Sequence, residues 1–444
     1  MAWANKIVGA AFLVSALAAA WARLPLTFDG SYYLINLLES RQLVAPHGRL
    51  TVALLTLPAQ IIVRLTESLE ATTTAFCLTY ALIPFISILA CWLIVRKTQI
   101  ELMIWPIISI GLLSAASQTN QLSENLIACQ LAWPLLLNVL TNKGRLATTL
   151  SLLFAGFLIL LHPVSIVFLG IASVASFLVR ERGQRAALIY TLGLLALALC
   201  RLAQLLFTSN DYEQAMLKST SLLETLRTGY SGLILPITFV SLWLVLVQLR
   251  TPLSIKFQRL WLVGTAALPL LAGVLIIIWS NNLRFWYQCL PSSRFLFVPI
   301  TVLMLYATYE KLTEPKSFTF KDGRIALSCA IAIIFASATL VQSFKWSACT
   351  GKLQAELLNS KETTINIEDL QWLRGTPLNH WSVVPLAIIL QGRTPKTILL
   401  TAEARKQIDL DGTFKTVPWE GKFTNYYFKL PDPTSNIHKI QSNR

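Results

Sequence analysis

The sequence predicts an all-α polytopic membrane bundle of about eleven transmembrane helices, with a small C-terminal α/β or β-rich extracytoplasmic domain. Three observations carry this. The 444-residue chain is 55% hydrophobic with a mean hydropathy of +0.59. It is only 13% charged, where a soluble domain carries about 25%. Apolar stretches close to the ~20 residues that cross a bilayer recur from Ile7 to Phe344.

The candidate spans are Ile7–Trp21, Thr74–Val95, Leu102–Ala115, Leu126–Leu140, Ala147–Leu161, Val164–Val179, Ala186–Leu206, Gly232–Leu249, Leu260–Trp279, Phe295–Tyr309 and Ile325–Phe344. The connectors between them sort by charge. Lys6, Arg96/Lys97, Lys143/Arg145, Arg180/Arg182/Arg185, Arg250/Lys256/Arg259 and Lys311/Lys316/Lys321/Arg324 mark one side, whereas Ser117–Asn125 and His162–Pro163 contain no Lys or Arg. By the positive-inside rule the basic side is cytoplasmic, so the N-terminus lies inside and the C-terminal region outside. The expected location is an integral membrane protein of a bacterial inner or plasma membrane. The N-terminal apolar run before Ala18-Ala19-Ala20 looks like a signal peptide, but it reads as an uncleaved first span because many spans follow.

The alternation requires that Thr51–Val63 does not cross. This 13-residue run ends at Arg64 and suits a re-entrant or interfacial helix better than a span. Residues 23–73 then form one large outer loop within a transmembrane module of residues 1–344. Residues 345–444 are polar and rich in Thr and Lys, and form the second domain. It begins helically (Lys352–Asn359) and turns extended, with strands expected at Thr397–Thr401 and Phe423–Leu430.

The net charge of +15 does not point to nucleic acid, because the basic residues sit in short connectors rather than on one face with interleaved aromatics. The seven cysteines are scattered, mostly inside apolar segments as small hydrophobes, and show no zinc-type spacing. Walker A, GxSxG and HExxH patterns are absent, so ATPase, serine-hydrolase and zincin chemistry lack support. The span interiors hold almost no ionisable groups, Arg201 near an outer end being the main exception. That argues against an ion-coupled transporter, which places acids or histidines in its bundle.

The polar residues that remain lie at the outer face. Asp29 follows the first span in Thr27-Phe28-Asp29-Gly30-Ser31-Tyr32-Tyr33. Asp-Gly at a helix end is also an ordinary turn or cap, but a carboxylate in a membrane-proximal pocket keeps the basicity to accept a proton from a hydroxyl. Glu124 is a second acid on that face, read either as a solvated loop residue or as a binder of substrate hydroxyls. His47 and Arg49 share the loop of Asp29 and could contact phosphate or acceptor. His162 sits in a tight turn between two spans, where a plain polar turn residue is equally natural. Arg284 and Arg294 flank a late outer loop rich in Asn, Trp, Tyr and Ser; such arginines often snorkel, yet a guanidinium also grips phosphate in a bidentate fork. Residues 207–230, with Asp211, Glu213 and Glu224, form a loop long enough to be a lid.

Together these features resemble the GT-C-type integral-membrane glycosyltransferases, the class of the protein O-mannosyltransferases and the lipid A aminoarabinose transferase. The shared pattern is an inside N-terminus, one span, then a large outer loop. That loop opens on an acid followed by tyrosines (Asp29, Tyr32, Tyr33), passes a His-containing turn (Pro46-His47-Gly48-Arg49) and enters an apolar segment near Leu57-Pro58. Pro291-Ser292-Ser293-Arg294-Phe295 is similar to the Arg-aromatic entry to a late span. The chain departs from the class in having Asp29-Gly30 where Asp-Glu is frequent, and His47-Gly48-Arg49 where His-Pro-Pro is.

The resemblance implies a sugar donor linked through phosphate to a polyprenyl lipid, and a glycan, lipid or protein acceptor. Asp29 would be the general base, and Tyr33, His47, Arg49, Glu124, His162, Arg284 and Arg294 would bind substrate. No cofactor is required, although some members use a divalent metal. Two other readings stay open: a polymerase or ligase of lipid-linked glycans, and a non-enzymatic lipid or sugar flippase or transporter.

Overall fold

The computed structural model describes residues 2–40, 49–113, 122–141, 144–179, 185–208, 297–313, 321–373, 376, 378, 382–400 and 427–430. Of these, 83% are helical. Among the described residues, three helices are long and apolar enough to cross a membrane, or four if one bent pair is taken as a single span. The expected spans Gly232–Leu249 and Leu260–Trp279, and the expected lid, lie outside the described residues apart from its first two positions.

The frame is a pair of helices, α1 (Ala2–Trp21) and the 39-residue helix that ends the bundle. The second of these, Lys321–Asn359, runs without a break across the boundary that composition places at residue 344. The two helices lie side by side in the same direction. Cys329 meets the carbonyl of Ala4, Phe12 stacks on Phe335 at 4.6 Å, and the Trp346 indole donates to the carbonyl of Arg23 at 3.1 Å. Everything that follows the long helix therefore starts from the face at which α1 ends.

That end of α1 turns sharply. Arg23 and Phe28 both adopt left-handed φ, 56° and 50°, on either side of the 3-10 turn Leu24–Leu26. Each such residue costs about 1–3 kcal/mol unless its surroundings impose it. The turn brings the Pro25 carbonyl so close to Gly30 that an added Cβ would sit 1.7 Å from its oxygen. Position 30 thus has no room for any side chain. Helix α2 (Asp29–Ser40) then begins with Asp29 in its first turn, where the helix dipole favours a carboxylate.

Helix α3 (Leu50–Thr66) covers the run expected not to span, and it is not among the helices long and apolar enough to cross. Leu50, Leu54, Leu57, Ile61 and Leu65 form an exposed stripe at helical spacing, while Val52, Ala59 and Val63 are buried. Glu67 ends the helix in left-handed conformation, its N–H bonded to the carbonyl of Val63. Ser68 then caps α4 (Leu69–Ala81) by accepting the N–H of Ala71 at 3.2 Å. This two-residue turn folds α4 back along α3. A bend of 43° follows, with Pro84 in the first turn of α5 (Ile83–Val95); proline lacks the N–H that a straight continuation would need. The next expected span is also irregular: a 3-10 turn Ile100–Met103, a short α segment Ile104–Pro106 and a π-type segment Ile107–Leu113.

The remaining bundle comprises α6 (Glu124–Thr141), α7 (Arg145–Ile159), α8 (Ser165–Val179), α9 (Arg185–Thr208) and α10 (Phe297–Thr313), before the long helix, here α11. Buried hydroxyls and amides tie neighbours together, as apolar surroundings require. Ser87 donates to the carbonyl of Gln130, Ser173 to that of Thr191, and Asn138 to that of Ala147.

Beyond α11, β1 (Thr364–Asn366) pairs in parallel with β2 (Ile398–Leu400), and α12 (Val383–Gln391) lies between them in sequence. The first expected strand is therefore present as Ile398–Leu400. Of the second, only Tyr427–Leu430 is described, and it is not paired into the sheet. This region packs on α2 and on the α3–α4 turn. Ser31 donates to the carbonyl of Ser382, the Glu39 carboxylate accepts the N–H groups of Tyr427 and Phe428, and the Tyr427 hydroxyl donates to the carbonyl of Glu67.

Candidate functional site

Four of the residues that the sequence singles out meet at one place. Tyr33 on α2, Arg49 at the start of α3, Glu124 at the start of α6 and His162 in the α7–α8 turn come from separate stretches of chain. The Tyr33 hydroxyl donates to Glu124 Oε1 at 2.6 Å, and Arg49 Nη1 pairs with Glu124 Oε2 at 2.9 Å. The Arg49 and Glu124 side chains are each only 7% exposed.

Local structure explains the placement. Arg49 precedes the first turn of α3, the positive end of the helix dipole, where a buried cation needs an anionic partner. Glu124 opens α6, where a carboxylate is favoured. The α3–α4 hairpin brings Tyr80, near the end of α4, to the level of Arg49, and the Glu124 charge reaches it. The Tyr80 hydroxyl is buried and has no hydrogen-bond partner among the described residues. Thr51 anchors the start of α3 to α7 through the carbonyl of Phe157 at 2.7 Å.

The charges are set by these neighbours. Burial by itself would raise the Glu124 carboxyl, but the Arg49 guanidinium and the Tyr33 hydrogen bond outweigh it and hold it below the usual carboxylate range. Burial, with the Glu124 and Asp29 charges, pushes the Tyr33 phenol well above its ordinary value, so it remains a donor. Burial and the Arg49 guanidinium bring His162 down to about 3, against the pull of Glu124 and with a further contribution from Arg201. His162 Nδ1 accepts the N–H of Val164 at 3.2 Å, which leaves the neutral ring's proton on Nε2.

Both Glu124 oxygens are thus engaged, which suits it to hold Arg49 and Tyr33 in place rather than to take a proton. Asp29 differs: it is half-buried and stands one helical turn from Tyr33 on the same side of α2. Its charge reaches the Tyr33 phenol, so it borders the cluster without being at its centre.

Arg201 on α9 is the functional candidate that sequence reading did not place here. It is buried, its Nη1 bonds Gln204 Oε1 at 2.7 Å, and its charge reaches His162. A lone arginine in an otherwise uncharged span was the available signal. His47, Arg284 and Arg294 lie outside the described residues. Among the described residues, no three His, Cys, Asp or Glu side chains come together as metal ligands.

No family model matches the chain, and neither a curated protein nor a solved structure is detectably similar to it.

Proposed function

We propose that this protein is an integral-membrane glycosyltransferase that moves a sugar from a polyprenyl-phosphate donor to an acceptor hydroxyl, with inversion and with Asp29 as general base. The observation that supports it is the convergence of Tyr33, Arg49, Glu124 and His162 beside Asp29, at the end of α1. Asp29 takes the acceptor proton. The freed oxygen bonds to the anomeric carbon, and the carbon–oxygen bond to phosphate breaks with its electron pair going to the lipid phosphate.

That leaving group is anionic, so its stabilisation falls to cations already fixed in a low-dielectric site. Arg49 and Arg201 flank neutral His162 and serve this role, with His47, Arg284 and Arg294 as further contributors. Tyr33 and the Nε2–H of His162 donate hydrogen bonds to sugar or phosphate oxygens. In this reading the basic face is cytoplasmic and the reaction takes place outside.

The test is radiolabelled transfer by purified protein offered polyprenyl-phosphate sugars with glycan, lipid and protein acceptors. Asp29→Asn should lower transfer by about 10²–10⁴-fold, the loss expected for a general base, with an unchanged thermal midpoint. Equal transfer by both proteins would remove Asp29 from the role. A folded wild type that transfers no sugar, yet moves lipid-linked sugar across vesicles, would replace the enzyme by a flippase.

A further inference from the structure

The opposite end of the bundle holds a cavity of about 490 Å³, within the ~300–1,000 Å³ range of small-molecule sites. At ~1.5 Å per residue, about 20 Å of α1 separates Gly9 on its wall from the end of the helix that leads to Asp29. Its walls are apolar, with Val8 and Gly9 of α1, Ile88 of α5, and Ile104 and Ile107 from the irregular segment. Its polar lining is Asn5, Lys6, Glu101, Arg324 and Ser328, together with the indole of Trp92.

We propose that this cavity binds one anionic phospholipid from the adjoining leaflet, with an acyl chain inside and the phosphate at Lys6. Two features carry the assignment. An apolar chamber with charges confined to one end fits an amphiphile rather than a soluble metabolite. Among the described residues, the charged side chains that line the chamber are Lys6, Glu101 and Arg324. Arg324 is held by Glu310 at 2.6 Å, and Arg96 lies over the Trp92 ring at 5.1 Å. Lys6, exposed at the rim, therefore faces a headgroup directly.

Gly9 supplies a means of narrowing the cavity. It lines the chamber, and a Cβ added there meets nothing within 4 Å. Gly9→Leu should thus take up part of the space an acyl chain would use, and leucine is the better helix former.

Native mass spectrometry of the purified full-length chain, titrated with palmitoyl-oleoyl phosphatidylglycerol or phosphatidylcholine, reads the outcome. The wild type should retain one phosphatidylglycerol more tightly than phosphatidylcholine. Lys6→Gln should weaken the anionic lipid by about fivefold, the contribution of one basic residue at a membrane surface, and weaken phosphatidylcholine, whose choline offsets its phosphate, by less. Gly9→Leu should weaken both. Equal retention of the two lipids by the wild type, or undiminished phosphatidylglycerol binding by folded Gly9→Leu, overturns the proposal. Lys6 is exposed, so its variant keeps the test decisive if Gly9→Leu does not fold. Sugar transfer plays no part in either readout, so this inference and the glycosyltransferase reading fail separately.

Discussion

Each end of the bundle carries an arginine paired with a glutamate that also accepts a hydrogen bond from an aromatic side chain. At one end Arg49 and Tyr33 hold Glu124. At the other, Arg324 and the Trp105 indole hold Glu310, at 2.6 and 2.7 Å. The chemistry of the two triads is nearly the same, but their settings differ. Arg324 is 25% and Glu310 12% exposed, and the triad ties α10, α11 and the segment around Trp105 together at the basic face. The Glu124 triad is more deeply buried and joins three segments distant in sequence. Around it stand a strained turn, a half-buried aspartate, a neutral histidine, a second buried arginine and an unbonded tyrosine hydroxyl. An Arg–Glu–aromatic triad alone is therefore no mark of a site; the accumulation of costly features around one of the two is.

The sharpest way to break this comparison is to remove one partner from each triad. Glu124→Gln leaves Arg49 charged and buried, and should cost about 3–5 kcal/mol, read as a large drop in the thermal midpoint in detergent. Glu310→Gln should cost nearer ~1 kcal/mol, because water already reaches that pair. Equal losses would mean that the two ends are energetically alike and that burial does not distinguish them. The Arg49→Met/Glu124→Gln double variant should lose less than the two single losses added together, since each single change strands a charge.

A smaller effect tests the turn at the end of α1. Gly30→Ala places a methyl against the Pro25 carbonyl and should cost about 1–3 kcal/mol, the usual penalty for overpacking. Gly170→Ala, inside a helix where an added Cβ meets nothing within 4 Å, is the control. A tolerated Gly30→Ala would remove the steric reason for glycine at that position.

The smallest effect at neutral pH concerns His162. In the unfolded chain it takes a proton near 6.5, whereas in the fold it resists protonation down to about 3. Between those values the unfolded state binds the extra proton, so the histidine makes stability fall as pH drops below 6.5. His162→Asn should melt like the wild type at pH 7.5 and decline less steeply between pH 6.5 and 5. Parallel declines would show that His162 titrates normally in the fold.

Much of the site was legible because polar groups are expensive in an apolar chain. Tyr33, Arg49, Glu124 and His162 stood out as polar residues near the ends of apolar segments, Glu124 and His162 on connectors without Lys or Arg. Their meeting on one carboxylate was not legible, since it depends on how α2, α3, α6 and the α7–α8 turn pack. The Glu310–Arg324–Trp105 triad went unread for the same reason: its members sit among ordinary rim charges. Helix continuity was also partly hidden. Hydropathy treats Thr74–Val95 and Leu102–Ala115 as single spans, but Pro84 and Pro106 break their regularity locally.

By itself, the sequence determined that this chain is helical and apolar, with stretches near the length that crosses a membrane. It also singled out the polar residues at the ends of those stretches. Tertiary structure decided their surroundings. It closed both oxygens of Glu124, kept His162 neutral, brought Arg201 to the cluster and left Asp29 at its border. Those outcomes follow from burial and from distances between segments far apart in the chain, and neither quantity exists until the helices are packed.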